Sequence, residues 1–283
     1  DLRGRARCHP GRRTRSEAAV TSPQSTPADL DAREAFLIDL VRSAGAIARA
    51  GFARADRGIR MKGPQDFLTE TDTAVEAHVR DRVAAAFPGD GVLGEEGGGG
   101  PAPDLWVVDP IDGTANFARG LPHYCVAIAF VSGGVTRLGA IYDPSRDELY
   151  RTREGRGASR NGQPIRVSAT TDPGCAAVEF GCSPSVPRPQ YIAGVTALLG
   201  RGFSVRRASS GALGLAYVAD GRNDAYAEYL MHPWDCLAGL LMVAEAGGLT
   251  GPFGLAQAPV IPAAPGIAEA VADATGIPLS GDA

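Results

Sequence analysis

The sequence predicts an α/β protein of two sheets with interleaved helices, and three patterns carry that expectation. Between Leu30 and Phe52, apolar residues recur at Phe36, Leu37, Leu40, Val41, Ala44, Ile47 and Ala48, the spacing of an amphipathic helix that lays one face on a sheet. Residues 123–153 read as a meander of apolar strands joined by short turns at 132–134 and 144–147, which implies antiparallel pairing. The second half alternates strand and helix.

At 283 residues the chain can bury a sizeable core, as one large domain or two intimately packed ones. A formal net charge of −4 argues against a general grip on nucleic acid, and no run of about 18 apolar residues offers a membrane span. The five cysteines (Cys8, Cys125, Cys175, Cys182, Cys236) contain no C-x-x-C and suit reduced thiols in a cytosol. Four histidines without zinc spacing leave hard cations held by oxygen as the metals to expect. Residues 1–30 carry Arg3, Arg5, Arg7, Arg12, Arg13 and Arg15 and almost no large apolar side chain, so they read as a disordered arm or a mis-set start, with a transit segment or a polyanion contact as the alternatives.

After the first helix, residues 56–66 read as a strand end and an exposed loop holding Lys62, the only lysine. A second helix follows, with Thr and Asp as capping candidates and Val75, Val79, Val83 and Phe87 at steps of four, stopped by Pro88-Gly89. A short strand leads into "GEE" (94–96) and a Gly/Pro loop, and "LWVVD" (105–109) is a buried strand. Beyond the meander come a strand at 176–180, a helix at 191–199, a strand at 203–207, a helix at 210–219, the strand "DAYAEYL" (224–230) and the helix "WDCLAGLLMVAEAGG" (234–248). The tail after Gly248 is rich in Pro, Ala and Gly.

Glu95, Glu96, Asp109, Asp112 and Asp235 stand out because each lies at the end of an apolar strand or the start of an apolar helix, with no Lys or Arg obviously placed to pair it. A carboxylate desolvated in this way costs several kcal/mol unless it is protonated, paired or metal-bound. Singly, each has a structural explanation: Asp109 ends a strand, Asp112 caps a helix beginning at Gly113, and Asp235 caps its own helix. Together they favour Mg²⁺, since Asp109 and Asp112 lie three apart across a Pro-bounded turn and Gly113-Thr114 offer backbone amides to an anion. That combination points to phosphoryl chemistry.

"GEE", "WVVDPIDGTANF" (106–117) and "WDCLAGLLMVAEAGG" resemble the motifs of the inositol monophosphatase family, within the Mg²⁺-dependent, Li⁺-sensitive phosphatases that include fructose-1,6-bisphosphatase; the likeness runs from about residue 32 to 283. The resemblance implies an αβαβα sandwich: an N-terminal α+β part (31–165) with a largely antiparallel sheet and the metal motifs, and a C-terminal α/β part (166–283) with a mixed sheet, Asp235 and the substrate pocket. It implies two or three Mg²⁺ per subunit in a cytoplasmic homodimer. Glu95, Asp109 and the Ile111 carbonyl would bind one ion, and Asp109, Asp112 and Asp235 a second. Glu95 with Thr114 would orient the attacking water, the amides of Gly113 and Thr114 would hold phosphate, and Lys62, Asp72 and Glu96 would act in the outer shell of a third ion. Glu228, Ser210 and Gly211 match the substrate pocket, for which inositol monophosphate is the first choice and histidinol phosphate and fructose bisphosphate are alternatives. Ser209 departs from the pattern where the family usually has Gly. One bacterial branch resembling the family implies another role, through protein contacts in transcription and ribosomal RNA maturation.

Overall fold

The computed structural model describes residues 26–63 and 65–279, and most of the Arg-rich arm lies outside them. Helix α1 (Pro27–Phe52) begins at Pro27 rather than Leu30, because Thr26 and Asp29 form a capping box and Pro27 takes the first helical position. Where a loop was expected, β1 (Arg60–Gly63) and β2 (Asp66–Leu68) pair as an antiparallel ribbon. A second capping box, Thr69 with Asp72, starts α2 (Glu70–Ala86).

Seven strands then form the larger sheet: β3 (Gly91–Gly94), β4 (Asp104–Asp112), β5 (Cys125–Ser132), β6 (Val135–Asp143), β7 (Glu148–Arg153), β8 (Ala158–Arg160) and β9 (Gln163–Pro164). They lie side by side in chain order; β3 and β4 are parallel and every other pair is antiparallel. Helix α3 (Thr114–Ala118) interrupts the path from β4 to β5. The smaller sheet has the order β11-β10-β12-β13, with β10 (Ala177–Phe180) parallel to both β11 (Ser204–Arg206) and β12 (Ala225–Met231), and β13 (Ala258–Val260) antiparallel to β12. The remaining helices are α4 (Arg188–Gly200), α5 (Gly211–Ala219), α6 (Pro233–Glu245) and α7 (Ala268–Thr275). The sequence pattern predicts neither β13 nor α7.

Strand alternation sorts these elements into layers. On β4, Trp106 and Val108 join Leu40, Val41 and Val79 of α1 and α2, while Leu105 and Val107 join Leu213, Leu215, Leu237 and Val243 of α5 and α6. Both faces are covered, which is why β4 reads as a continuous apolar run. On the smaller sheet, Val178, Phe180, Ala225 and Ala227 pack with Leu198 of α4 and Val271 of α7, while Tyr226 turns the other way into the core shared with α5 and α6. The result is the expected αβαβα sandwich. Its central helix layer rests closely on the large sheet, where a Cβ on Gly139 of β6 would stand 2.9 Å from the Ala238 backbone of α6.

Candidate active site

Residues three apart on a regular strand point to opposite faces, yet Asp109 and Asp112 converge. The cause is a bulge: Asp109 pairs with Ala127 and Asp112 with Cys125, so three steps on β4 oppose two on β5. The extra residue returns Asp112 to the face of Leu105 and Val107, toward α5 and α6. Asp235, in the first turn of α6, meets them there, and ligand oxygens of Asp109, Asp112 and Asp235 lie within 4.8 Å of one another. None of the three forms an ion pair with Lys or Arg among the described residues.

Asp112 does not cap the helix that follows it, as one sequence reading had it; α3 has no side-chain cap. Its carboxylate instead accepts from Ser210 Oγ, from Gly211 N at 3.1 Å and from Ala212 N at 2.9 Å, and so caps α5. Ser210 and Gly211, expected in the substrate wall, therefore also fix a cluster carboxylate. Gly113 has φ +90°, and a Cβ there would stand 2.9 Å from His123 O, so glycine is required at this turn. Thr114 Oγ1 donates to Ile111 O at 2.8 Å and reaches Asp72 Oδ1 at 3.3 Å, joining the start of α2 to the turn.

Glu95 is corrected in one respect. Lys62 of β1 pairs with it at 3.4 Å and with Glu96 at 2.9 Å, so these acids have the cation that local sequence did not reveal, and Glu95 lies outside the three-carboxylate cluster. The "GEE" turn is held from below by buried Glu76 of α2, which accepts from Glu96 N and Gly97 N at 2.8 Å each.

A cavity of about 640 Å³ opens beside the cluster, lined by Asp112, Asp235, Ser210, Glu228, Glu179 and Arg207 among others. Glu228 accepts from Tyr226 Oη, and alternation on β12 brings both to the face that Glu179 occupies on β10. Glu179 accepts from Ala208 N at 3.2 Å and Asn223 Nδ2 at 3.0 Å, while Asn116 Nδ2 donates to Ala208 O at 2.8 Å and His123 O at 2.9 Å. These bonds brace the segment before α5, where Ser209 takes φ 62° in the position the family usually gives to glycine.

Glu76, Asn116 and Glu179 were missed by sequence reasoning. A signal existed for two of them: Glu179 interrupts the apolar strand "AVEF", and Glu76 sits beside Val75 and Val79 on the buried face of α2.

Burial dominates the electrostatics. It holds Asp109 well above the usual carboxylate range, with the charges of Glu95, Asp112 and Asp235 adding to it, and it lifts Asp235 likewise. Asp112 is raised by burial against the opposing pull of its Ser210, Ala212 and Gly211 hydrogen bonds. Burial takes Glu95 up to about 7 despite Lys62, and Glu228 and Glu179 to about 7 as well. Asp72 rises to about 6. His123, His78 and His232 are lowered by burial, and none of them joins the cluster.

A layered αβαβα fold with clustered carboxylates at its central helix layer defines a class, and the family model agrees: the chain belongs to the inositol monophosphatase family, matched over residues 29–274. It is 39% identical over 228 residues to the Nus factor SuhB of Xylella fastidiosa, covering 79% of this chain and 83% of that protein. It is 34% identical over 220 residues to the fructose-1,6-bisphosphatase/inositol-1-monophosphatase of Thermotoga maritima, covering 77% of this chain and 84% of that one. The solved inositol monophosphatase of Anabaena superposes with a TM-score of 0.78 at 32% identity, over 88% of this chain and 98% of that chain.

Proposed function

We propose that this chain is a Mg²⁺-dependent phosphomonoesterase that hydrolyses a small polyol phosphate, with inositol monophosphate as the best-fitting substrate. The observation that carries the reading is the convergence of Asp109, Asp112 and Asp235 on one desolvated locus without an ion-paired Lys or Arg among the described residues. An all-oxygen carboxylate set of this kind fits a hard divalent cation. Glu95, Asp109 and the Ile111 carbonyl would hold one ion, and Asp109, Asp112 and Asp235 a second; Glu96, Lys62 and Asp72 would surround a weaker third. Mg²⁺ bound there supplies Lewis acidity and lowers the pKa of water.

The chain's own groups do the rest. Thr114 Oγ1 is fixed by Ile111 O and Asp72, and with Glu95 it would orient the attacking water. The amides of Gly113 and Thr114 receive phosphate at a rigid turn. Glu228 accepts a substrate hydroxyl, with Ser210 and Gly211 as the adjacent wall. Homodimerisation and inhibition by Li⁺ belong to the same reading.

The test is turnover with Mg²⁺ on inositol-1-phosphate, histidinol phosphate, fructose-1,6-bisphosphate and 3′-phosphoadenosine 5′-phosphate. The highest kcat/KM is expected on inositol-1-phosphate, and absence of turnover on all four sinks the enzyme reading. A second reading rests on the relative named Nus factor SuhB: a protein-binding role in transcription and ribosomal RNA maturation. It predicts capture of RNA polymerase by the intact chain that survives Asp109→Asn, and loss of capture in that variant counts against it.

A further inference from the structure

A second cavity, of about 320 Å³, shares no lining residue with the one at the carboxylate cluster. It is framed by β7, β8, the Gly-rich turn between them, Glu34 of α1 and Glu245 at the end of α6. Arg151, Arg153, Arg156 and Arg166 all line it, against only two carboxylates, Glu34 and Glu245. The chain as a whole has a formal net charge of −4, so this excess of guanidinium is a local inversion of sign.

Those two carboxylates are already engaged. Glu245 accepts from Gly155 N and Gly157 N at 2.7 Å each, which fixes the turn. Glu34 takes buried Arg153 at 3.0 Å, with Asp31 on the same guanidinium, and lies 3.7 Å from Arg151. Arg151, two residues from Arg153 and so on the same face of β7, also donates to Ser159 Oγ at 3.2 Å. Arg153 and Arg151 thus form an ordered floor. Arg156 on the turn and Arg166 beyond β9 are exposed and form no ion pair among the described residues.

We propose that this cavity binds a compact polyanion carrying two or more phosphate or carboxylate groups. Arg156 and Arg166 arrive from separate segments, and each presents a planar fork suited to bidentate capture of one anionic group. The ordered floor limits the side-chain entropy lost on binding. The volume admits a small metabolite but no folded partner. This site is independent of the phosphatase reading, since none of its residues belongs to that machinery.

The test uses the full chain stripped of metal on a chelating resin, in chelator-free buffer, titrated calorimetrically with pyrophosphate and with citrate. Without metal, the phosphate site proposed at Gly113 and Thr114 lacks the cations of that reading, and the paired variant below separates heat from the arginine cavity from heat at the first cavity, where Arg119 and Arg207 also lie. One-site binding is expected, weakening as NaCl rises from about 50 to about 200 mM through screening. The paired substitution R156A/R166A is expected to weaken binding by about tenfold or more while leaving Mg²⁺-dependent turnover unchanged, and Asp109→Asn is expected to leave binding intact. Arg166→Glu serves as a second variant at an exposed position and should abolish binding. Tighter binding of pyrophosphate than citrate assigns phosphate as the ligand group, and the reverse assigns carboxylate. No saturable heat with either probe, or undiminished affinity in the paired variant, overturns the proposal.

Discussion

Among the three clustered carboxylates, Asp109 accepts one backbone hydrogen bond, from Ile111 N at 3.0 Å, whereas Asp112 receives Ser210 Oγ and two amides at the start of α5. The two substitutions that remove a charge should therefore part company. Asp109→Asn takes a buried like charge out of the cluster, so the metal-free protein should melt at the same temperature or higher, while turnover should fall by about two orders of magnitude or more if Asp109 is the ligand proposed above. Asp112→Asn also turns an amide toward donors that need an acceptor, and should cost the metal-free fold about 1–3 kcal/mol. Urea melts of both variants in metal-free buffer check this, and equal apo stability for the pair would show that Asp112 is not the cap of α5. Gly113→Ala tests the same turn from the backbone side. With φ +90° and His123 O 2.9 Å from the added Cβ, it should lose about 1–3 kcal/mol in the same melts, and phosphate binding with it.

At the scale of elements, the docking of α5 onto β4 depends on Glu179, whose carboxylate holds Ala208 N two residues before the Ser210 that binds Asp112. Glu179→Ala should leave that amide without its acceptor, destabilise the fold by about 1–3 kcal/mol, and raise the Mg²⁺ concentration needed for half-maximal binding. A Mg²⁺ titration followed by thermal shift reads the second effect; an unchanged midpoint would separate Glu179 from the proposed metal site. This dependence also explains what the sequence could and could not disclose. Helices α1, α2, α5 and α6 and strands β4 to β7 were legible because burial imposes periodicity or an unbroken apolar run on them. Helix α7 was hidden by the Pro- and Gly-rich segment around it, although Ile267, Val271 and Ala274 keep helical spacing, and β13 is only three residues long. The ribbon of β1 and β2 reads from sequence as a strand end and a loop because its anchors are tertiary: Lys62 reaches Glu95 and Glu96, and Arg119 stacks on Phe67 at 4.6 Å. The acids of "DPIDGT" and "WD" could be read as a set; the bulge that aims two of them to one side is visible only in the strand pairing.

For the whole molecule, the notable consequence is where the acids sit: the central helix layer is covered by both sheets, and one apolar core draws on β4, β5, α5, α6 and β12. The carboxylates at the edge of that core are desolvated by the same packing that stabilises the fold, so stability and the proposed metal binding are linked through protons. Glu95 is raised to about 7, and Asp109, Asp112 and Asp235 are raised above their ordinary range, chiefly by burial. A carboxyl whose folded-state pKa exceeds its unfolded value binds its proton more tightly when folded. Its contribution is fully present below the unfolded pKa, near 4, and is lost as pH rises through the folded value. The metal-free protein should therefore lose stability between about pH 5 and pH 8. A cation that takes the place of those protons removes the repulsion, so added Mg²⁺ should restore the melting temperature most at the upper end of the window, with affinity rising as pH rises. Calorimetric melts at pH 5, 6, 7 and 8, with and without Mg²⁺, measure both trends at once. A metal-free melting temperature that climbs across this range would mean that the cluster is neutralised by something other than protons, and Lys62 is the first group to substitute in search of it.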